Sequence, residues 1–193
     1  YIQKARQHRS NLKEDESWYQ TAWAKYAGSM AAPTASLHFT KADLDILKEK
    51  GVQVIEITLH VGLGTFLPVA VEDLNEHKMH AEKYEIQEEN WEAIKLAKSE
   101  GSKIWSLGTT STRVLESVAR TNQLKGSTDI LLQVGSEFLM VDRLLTNFHQ
   151  PESTLLALVA GFSNLENIKN CYQWAIEKKF KLFSYGDLSV WVK

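Results

Sequence analysis

Four segments of this chain are rich in histidine, hydroxyl or glycine residues, a pattern that suits a ligand site. They are AAPTASLHFT at residues 31–40, HVGLGTF at 60–66, LGTTSTR at 107–113 and TNFHQPEST at 146–154. Imidazoles titrate near neutral pH, hydroxyls both donate and accept hydrogen bonds, and glycines allow close approach of the backbone. The four segments therefore predict a site built around a ligand, with groups available for proton transfer.

The glycine-rich turn after His60 is one candidate for contact with that ligand. Gly62 and Gly64 permit positive φ angles, so the amide groups of this turn could press against a ligand, with Thr65 and Phe66 beside them. A tight loop at a strand exit, with a histidine facing solvent, explains the same pattern equally well. The fingerprints of dinucleotide sites and of P-loops are missing from the sequence, which argues against those two ligand classes.

The segment LGTTSTR places three hydroxyl side chains at the predicted start of a helix. Thr109, Thr110 and Ser111 stand there with free backbone amides, which can bind a carboxylate, a phosphate or a ribose hydroxyl, and Arg113 follows one turn later. Simple N-capping by Thr110 or Ser111 accounts for one hydroxyl and leaves two unexplained. We therefore favour a ligand role for this turn.

The candidates for acid/base catalysis are two histidines and two carboxylates. His60 is the first, and His80 and Glu82 share one face of their segment if it is extended. Asp187 follows a glycine in the segment SYGD and is the fourth candidate, although an Asx turn between two strands is the more ordinary explanation of that position.

A metal site is not predicted. His38, His60, His80 and His149 include no helical pair at positions i and i+4, and no cysteine accompanies them. General acid/base catalysis needs no such spacing, so the histidines keep that role.

The hydrophobic pattern alternates helices with strands. A capping signal at Thr40 and Asp43 predicts a helix at about 41–50, and the alternation from residue 55 to 61 predicts a strand that turns His60 away from its buried face. Further helices are predicted from Asn90 to Gly101, at 111–120, from Pro151 onward and from Ser163 onward. Further strands are predicted at 103–107, 139–146, 181–184 and 188–192.

This alternation predicts the α/β class, with a mixed sheet layered between helices. In such sheets ligands bind beyond the carboxyl ends of the strands, where the polar segments fall. Residues 1–17 are rich in charge and are interpreted as a lead-in segment or linker, and residues 18–193 as the main part of one α/β domain.

Composition sets wide limits on function. The chain has 193 residues, of which 44% are hydrophobic and 24% charged, so a sizeable core is expected. A formal net charge of −2 leaves any contact with nucleic acid to a local patch. The single Cys171 argues against a disulfide framework and favours the cytoplasm. No apolar run approaches the roughly 18 residues of a membrane span, and no membrane partner is expected.

Seven segments in one order along the chain resemble the S-adenosylmethionine:tRNA ribosyltransferase-isomerase family of queuosine biosynthesis. They are YQTAWAK, AAPTASLHFT, TLHVGLGTF, MHAE, LGTTSTR, TNFHQPESTLLALV and FSYGD. The resemblance runs from Tyr1 almost to Lys193. It implies an enzyme, both transferase and isomerase, that moves the ribosyl part of S-adenosylmethionine onto 7-aminomethyl-7-deazaguanine in tRNA. Epoxyqueuosine would form, and adenine and methionine would be released.

The resemblance also implies roles for the site residues. A base would remove a proton from the ribose carbon next to the sulfonium, and His60, His80, Glu82 and Asp187 are the catalytic candidates. Substrate contacts would come from His38, Phe39, Gly62, Gly64, Thr65, Phe66, Thr109, Thr110, Ser111, Arg113, Asn147 and His149. The two phenylalanines would stack on a base, and Arg113 would pair with a carboxylate or phosphate. S-adenosylmethionine is a co-substrate in this reaction, and neither a cofactor nor a metal is implied.

Further expectations follow from the same resemblance. The family has an α/β domain interrupted by a small β-barrel domain, inserted before the point that matches Tyr1. This chain would then be the C-terminal portion, without the barrel, and inactive by itself if the missing part is essential. Its partners would be tRNA with a modified wobble base and S-adenosylmethionine, and we expect a monomer in the cytoplasm.

Some positions depart from the family pattern. Residues 133–135 are Gln-Val-Gly where the family usually has Tyr-Pro-Gly, and Ala27 replaces a usual proline. These departures leave open a diverged, non-catalytic paralogue or fragment that binds a nucleotide or RNA. A metal-dependent hydrolase is the third alternative, and it would require stoichiometric bound metal.

Overall fold

Helices and strands alternate along the residues that this computed structural model describes, 18–62 and 69–193. The α-helices are α1 (Lys41–Glu49), α2 (Glu88–Ser99), α3 (Thr109–Thr121), α4 (Thr154–Phe162) and α5 (Leu165–Glu177). The strands are β1 (Thr58–His60), β2 (Glu82–Glu85), β3 (Trp105–Leu107), β4 (Lys125–Thr128), β5 (Arg143–Asn147) and β6 (Leu188–Val192). Short 3-10 turns span Thr34–His38 and Leu74–Glu76. The predicted lead-in segment at 1–17 lies outside the described residues.

The strands form two three-stranded sheets. In the first, β2 lies between β1 and β4, and both pairings are antiparallel. In the second, β5 lies between β3 and β6, parallel to β3 and antiparallel to β6. The predicted α/β class is confirmed and the second sheet is mixed, but the strands are divided between two sheets instead of forming one.

Helix α3 packs against strands of both sheets and joins them into one hydrophobic core. It contacts β1 and β4 of the first sheet and β3 and β5 of the second. Its Val114 and Val118 are completely buried, as the predicted apolar face of this helix requires. The first turn of α3 is therefore held in place by both sheets at once.

The buried carboxylate of Glu116 organises the approach to β5. One of its oxygens accepts hydrogen bonds from the amides of Met140 and Val141, each at 2.9 Å, and the other accepts from Leu139 at 2.7 Å. These amides are unavailable to a β-ladder. The predicted strand at 139–146 therefore begins only at Arg143 and extends to Asn147.

Local capping was predicted correctly for α1. The hydroxyl of Thr40 accepts from the amide of Asp43 at 3.2 Å, and the carboxylate of Asp43 accepts from the amide of Thr40 at 2.8 Å. At the end of α2, Gly101 adopts a φ of 84°, as the predicted C-terminal glycine should.

Four predicted helix starts were wrong by one to three residues. Helix α2 begins at Glu88, because the Asn90 side chain instead donates to the carbonyl of Glu56 at 2.9 Å. Helix α4 begins at Thr154, three residues after Pro151, and is capped by Ser153. Helix α5 is capped by Asn164, whose side chain accepts from the amide of Asn167. Helix α3 starts two residues earlier than predicted.

Two predicted strands also differ. Strand β1 is limited to Thr58–His60, although residues 55, 57 and 59 pack against the core and Val61 is buried, as the predicted alternation requires. Residues 181–184 form a loop instead of a strand. In this loop Phe183 has a left-handed φ of 71°, which ends any extended run.

Candidate active site

A cavity of about 380 Å³ lies at the carboxyl ends of the parallel strands β3 and β5. It is lined by residues 32–35, Val61, residues 108–110, residues 146–153, Leu155, Phe183 and Ser184. Three of the four polar segments of the sequence supply most of this lining, and Val61 of the fourth borders it. The site thus lies where an α/β sheet ordinarily binds its ligands.

The turn from β3 into α3 is fixed by hydrogen bonds. The amide of Gly108 donates to the carbonyl of Leu145 at 2.7 Å, and Gly108 has a φ of 92°, which favours glycine at this position. The hydroxyl of Thr112 donates to Ser106 at 2.9 Å, and the Ser106 hydroxyl donates to the Gly108 carbonyl at 3.2 Å. The first amides of α3 are therefore presented at the cavity on a rigid support.

Thr109 is the most telling residue of this turn. It lines the cavity although it is only 6% exposed, and its hydroxyl makes no hydrogen bond with any described residue. Gly108 provides no side-chain cap for α3. Thr110 also lines the cavity, whereas Ser111 does not. A hydroxyl without a partner at the cavity wall, next to free helix amides, is suited to a polar ligand.

A network around Asn147 connects three segments beside the cavity. The Asn147 side chain, 2% exposed, accepts from the hydroxyl of Thr34 at 2.8 Å and donates to the carbonyl of Gly186 at 3.2 Å. The Nε2 atom of His38 donates to the same carbonyl at 2.9 Å. Asn147 and His38 thus hold the turn at 34–38 and the loop at 183–187 against the end of β5.

His149 lines the cavity in a neutral form. Burial disfavours the imidazolium and lowers the pKa of His149 to about 4. Its Nε2 lies 2.9 Å from the hydroxyl of Thr146, and its backbone amide donates to Tyr172 at 2.8 Å. Burial likewise raises the pKa of Tyr172 to about 12. Near pH 7 both groups are uncharged, so His149 offers the ligand hydrogen bonding instead of a positive charge.

A second cavity, of about 440 Å³, adjoins the first through the shared residue Ser184. Aromatic rings of Trp18, Phe39 and Tyr185 line it, together with His38. This brings the predicted residues His38 and Phe39 close to the polar cavity. Flat aromatic walls are suited to stacking on a nucleobase.

His60 stands at the end of β1, directly before Val61 of the polar cavity. Its Nδ1 atom is buried and has no hydrogen-bond partner among the described residues. The backbone of Gly28 lies against the ring, with a φ of 137°, and a Cβ atom at position 28 would come 2.7 Å from Nδ1. Any side chain at position 28 would therefore clash with the imidazole of His60.

Glu82 and Arg113 form an ion pair in which both side chains are almost fully buried. The second carboxylate oxygen of Glu82 accepts from the amide of Gly62 at 3.1 Å, and Nε of Arg113 donates to the carbonyl of Ile130 at 3.3 Å. Neither charged group lines a cavity described here. The structure does not support the predicted proton transfer by Glu82 or the predicted substrate pairing of Arg113. The pair instead anchors Gly62 to α3.

The other predicted residues divide into two groups. His80 is exposed and lies outside both cavities, and Asp187 closes its loop by accepting from the amide of Lys181 at 2.7 Å. The donor lies six residues before Asp187, so this contact closes the loop and is not the predicted Asx turn. Gly64, Thr65 and Phe66 lie outside the described residues.

Sequence reasoning missed two cavity residues with unusual backbone. Glu152 and Phe183 line the polar cavity and have φ angles of 55° and 71°. Left-handed backbone at such residues is uncommon and often accompanies function. The predicted segment 146–154 contains Glu152, but the pattern of residue types does not single it out from its neighbours.

Within the described part of the chain, no group of three or more histidine, cysteine, aspartate or glutamate side chains is arranged to hold a metal ion. No helix there has the length and apolar character required to cross a membrane.

The chain is similar to several known proteins. A family model described as "Queuosine biosynthesis protein" matches residues 1–190. A Staphylococcus haemolyticus protein named S-adenosylmethionine:tRNA ribosyltransferase-isomerase is 48% identical over 178 residues, 90% of this chain and 52% of that protein. A Treponema denticola protein of the same name is 47% identical over 185 residues, 93% of this chain and 53% of that protein. The chain thus spans about half the length of the curated relatives it matches.

A solved structure shares the fold. The crystal structure of an S-adenosylmethionine tRNA ribosyltransferase from Thermotoga maritima is similar with a TM-score of 0.68 and 35% sequence identity. The similar region covers 81% of this chain and 50% of that one.

Proposed function

Because this chain belongs to the S-adenosylmethionine:tRNA ribosyltransferase-isomerase family, we propose that its two cavities hold S-adenosylmethionine for ribosyl transfer to tRNA. The acceptor is 7-aminomethyl-7-deazaguanine in the tRNA, and the products are epoxyqueuosine in tRNA, adenine and methionine. The two curated relatives bear the name of this activity.

The observation that carries this proposal is the pair of adjoining cavities with different linings. S-adenosylmethionine has a polar amino-acid end and a flat adenine base, joined through ribose. The polar cavity, with Thr109 and Asn147, suits the amino acid and ribose, and the aromatic cavity, with Phe39 and Tyr185, suits a nucleobase. The network of His38 and Asn147 lies where the two halves of the ligand would meet.

His60 is the proposed general base. The sulfonium stabilises negative charge on the neighbouring ribose carbon, so a neutral imidazole can remove a proton from that carbon while the electron pair stays on it. The Nδ1 of His60 has no partner among the described residues and is buried against Gly28; His60 itself lines neither cavity, but the next residue, Val61, borders the polar one. Glu82 is held by Arg113 in a buried ion pair, and His80 is exposed with no chain neighbour in either lining, so they are weaker candidates.

The proposal includes the partners and the setting. The enzyme binds tRNA carrying the modified wobble base, acts as a monomer in the cytoplasm and requires no metal or redox cofactor. Because the formal net charge is −2, the tRNA would contact a local basic patch of the surface.

Adenine release from S-adenosylmethionine tests the proposal. The purified protein is incubated with S-adenosylmethionine and tRNA that carries 7-aminomethyl-7-deazaguanine, and adenine is quantified by chromatography. We expect release that depends on the modified base, with none above background when the same tRNA carries unmodified guanine. A folded protein that binds tRNA but releases no adenine would point to a diverged paralogue that binds RNA without catalysis.

A further inference from the structure

We infer that the polar cavity seats a zwitterionic α-amino-acid group, with its carboxylate on the first turn of α3 and its cationic side toward Glu152. The inference rests on the proposed function for the identity of the ligand, because the methionine end of S-adenosylmethionine is such a group.

The carboxylate position follows from the start of α3. The first amides of a helix have no partners within the helix, and the helix dipole favours a negative charge there. Gly108 adds no capping side chain, whereas α4, which also borders the cavity, is capped by its own Ser153. Thr109 lines the cavity, is 6% exposed as a residue, and its hydroxyl is unpaired within the described residues. The N-terminus of α3 is therefore the one with hydrogen-bond donors that are free to bind a ligand.

The charge of the lining separates an amino acid from a phosphate. Among the described residues, the cavity lining contains no lysine or arginine, and His149 is neutral near pH 7 because its pKa is lowered to about 4. Protein sites for phosphate commonly use arginine or lysine to balance the negative charge. Among the described residues, this cavity has only uncharged donors for that purpose, namely helix amides, hydroxyls, side-chain amides and the neutral His149, and these match the single charge of a carboxylate.

Glu152 provides the complementary charge. It is the only charged residue in the described lining, apart from the histidine that stays neutral. Its φ of 55° and the hydrogen bond from the amide of Val69 to its carbonyl, at 3.0 Å, fix its backbone beside the cavity. A carboxylate here repels phosphate and attracts an ammonium or a sulfonium. One wall thus favours a negative group and another favours a positive group.

Ligand binding in the absence of tRNA tests this arrangement by calorimetry. The ligands are S-adenosylmethionine and decarboxylated S-adenosylmethionine, which keeps both cations and the adenosine but lacks the carboxylate. We expect the decarboxylated ligand to bind the wild-type protein at least about tenfold more weakly, since a hydrogen-bonded charged group is lost.

Variants at Thr109 then locate the carboxylate. Thr109→Val keeps the side-chain shape and removes the hydroxyl, so it should weaken S-adenosylmethionine binding about tenfold and leave the decarboxylated ligand unchanged. Thr109→Ser restores the hydroxyl and should restore the preference. Ser99→Ala, at the exposed end of α2, is the control for a substitution far from the cavity lining in sequence. It should bind both ligands as the wild type does.

A second variant tests the cationic side. Glu152→Gln should weaken S-adenosylmethionine and the decarboxylated ligand to a similar degree, while binding of uncharged 5′-methylthioadenosine stays the same. An equal loss of both sulfonium ligands in Thr109→Val would overturn the carboxylate assignment. So would competition by inorganic phosphate that disappears in that variant, or no binding of S-adenosylmethionine at all.

These binding results are separable from the proposed reaction. If the carboxylate preference depends on Thr109 but no adenine is released with modified tRNA, the proposed reaction is refuted and the carboxylate site at α3 is supported. If adenine is released but the preference does not depend on Thr109, the carboxylate site is refuted and the proposed reaction is supported.

Discussion

The imidazole of His60 occupies space that is free only because residue 28 is a glycine. The Nδ1 atom of His60 is buried without a partner in the described residues, in the space left by the glycine. A buried polar atom without a hydrogen bond costs stability, so such an atom is a candidate for function. We regard this histidine as the most informative single residue for the chemistry.

The first prediction concerns replacement of two proton-transfer candidates, one at a time. His60→Gln should slow adenine release about 100-fold or more, within the range for loss of a general base, without changing the affinity for S-adenosylmethionine. His80→Gln should leave the rate unchanged because His80 is exposed and lies outside both cavities. Single-turnover rates measure the effect. A normal rate in folded His60→Gln would exclude His60 as the base.

The second prediction concerns the titration of His149. Burial lowers its pKa to about 4, below the ordinary value of 6.5 that it would have in the unfolded chain. Its NMR resonances should therefore stay constant between pH 8 and about 5.5, and a shift with a midpoint near 6.5 would contradict the structure.

The sign of the linked stability follows from the same pKa. The unfolded state takes up a proton on His149 before the folded state does, so this residue's contribution is fully present above pH 6.5 and is lost as the pH falls toward 4. His149→Asn should reduce the slope of the free energy of unfolding against pH in that interval. Urea unfolding at a series of pH values measures it.

At the scale of elements, α3 connects the site to the rest of the fold. Its first turn borders the polar cavity, Arg113 one turn later binds Glu82, and Glu116 gathers the amides that precede β5. One helix thus positions both the strand that carries Asn147 and the chain at Gly62. A change inside α3 is expected to reach the cavity even when it does not touch the ligand.

The third prediction is that the ion pair between Glu82 and Arg113 stabilises the fold. Arg113→Met leaves a buried carboxylate without its partner and should lower the free energy of unfolding by about 3–5 kcal/mol. Lys95→Met removes one partner of the exposed pair between Lys95 and Glu92 and should cost at most about 1 kcal/mol. Denaturation in urea compares the two variants, and equal losses would mean that the buried pair has no special structural role.

Local signals predicted some elements well because their causes are local. The capping box at Thr40 and Asp43, and the glycine turn at 101, depend on neighbouring residues alone. Asn90 was wrongly predicted as a helix cap, because the partner of its side chain, the carbonyl of Glu56, is distant in sequence. The start of β5 was missed for the same reason, since the carboxylate of Glu116 takes up the amides before it.

The candidate site was predictable in part. The order of the polar segments indicated that Thr109, Asn147 and His149 would meet, because they follow strands of an α/β sheet, and all three line one cavity. The pairing of Glu82 with Arg113 joins residues that are distant in sequence, so both appeared available to a substrate. The left-handed backbone of Glu152 had no sign in the residue pattern.

For the molecule as a whole, the central claim is ribosyl transfer from S-adenosylmethionine to tRNA. The chain spans about half the length of the relatives named for this activity, so transfer must be measured directly. S-adenosylmethionine labelled with ¹³C in the ribose is supplied with tRNA containing 7-aminomethyl-7-deazaguanine. The tRNA is then digested to nucleosides and analysed by mass spectrometry. The proposed function predicts a labelled nucleoside with the mass of epoxyqueuosine. Intact modified tRNA without label, despite bound S-adenosylmethionine, would contradict it.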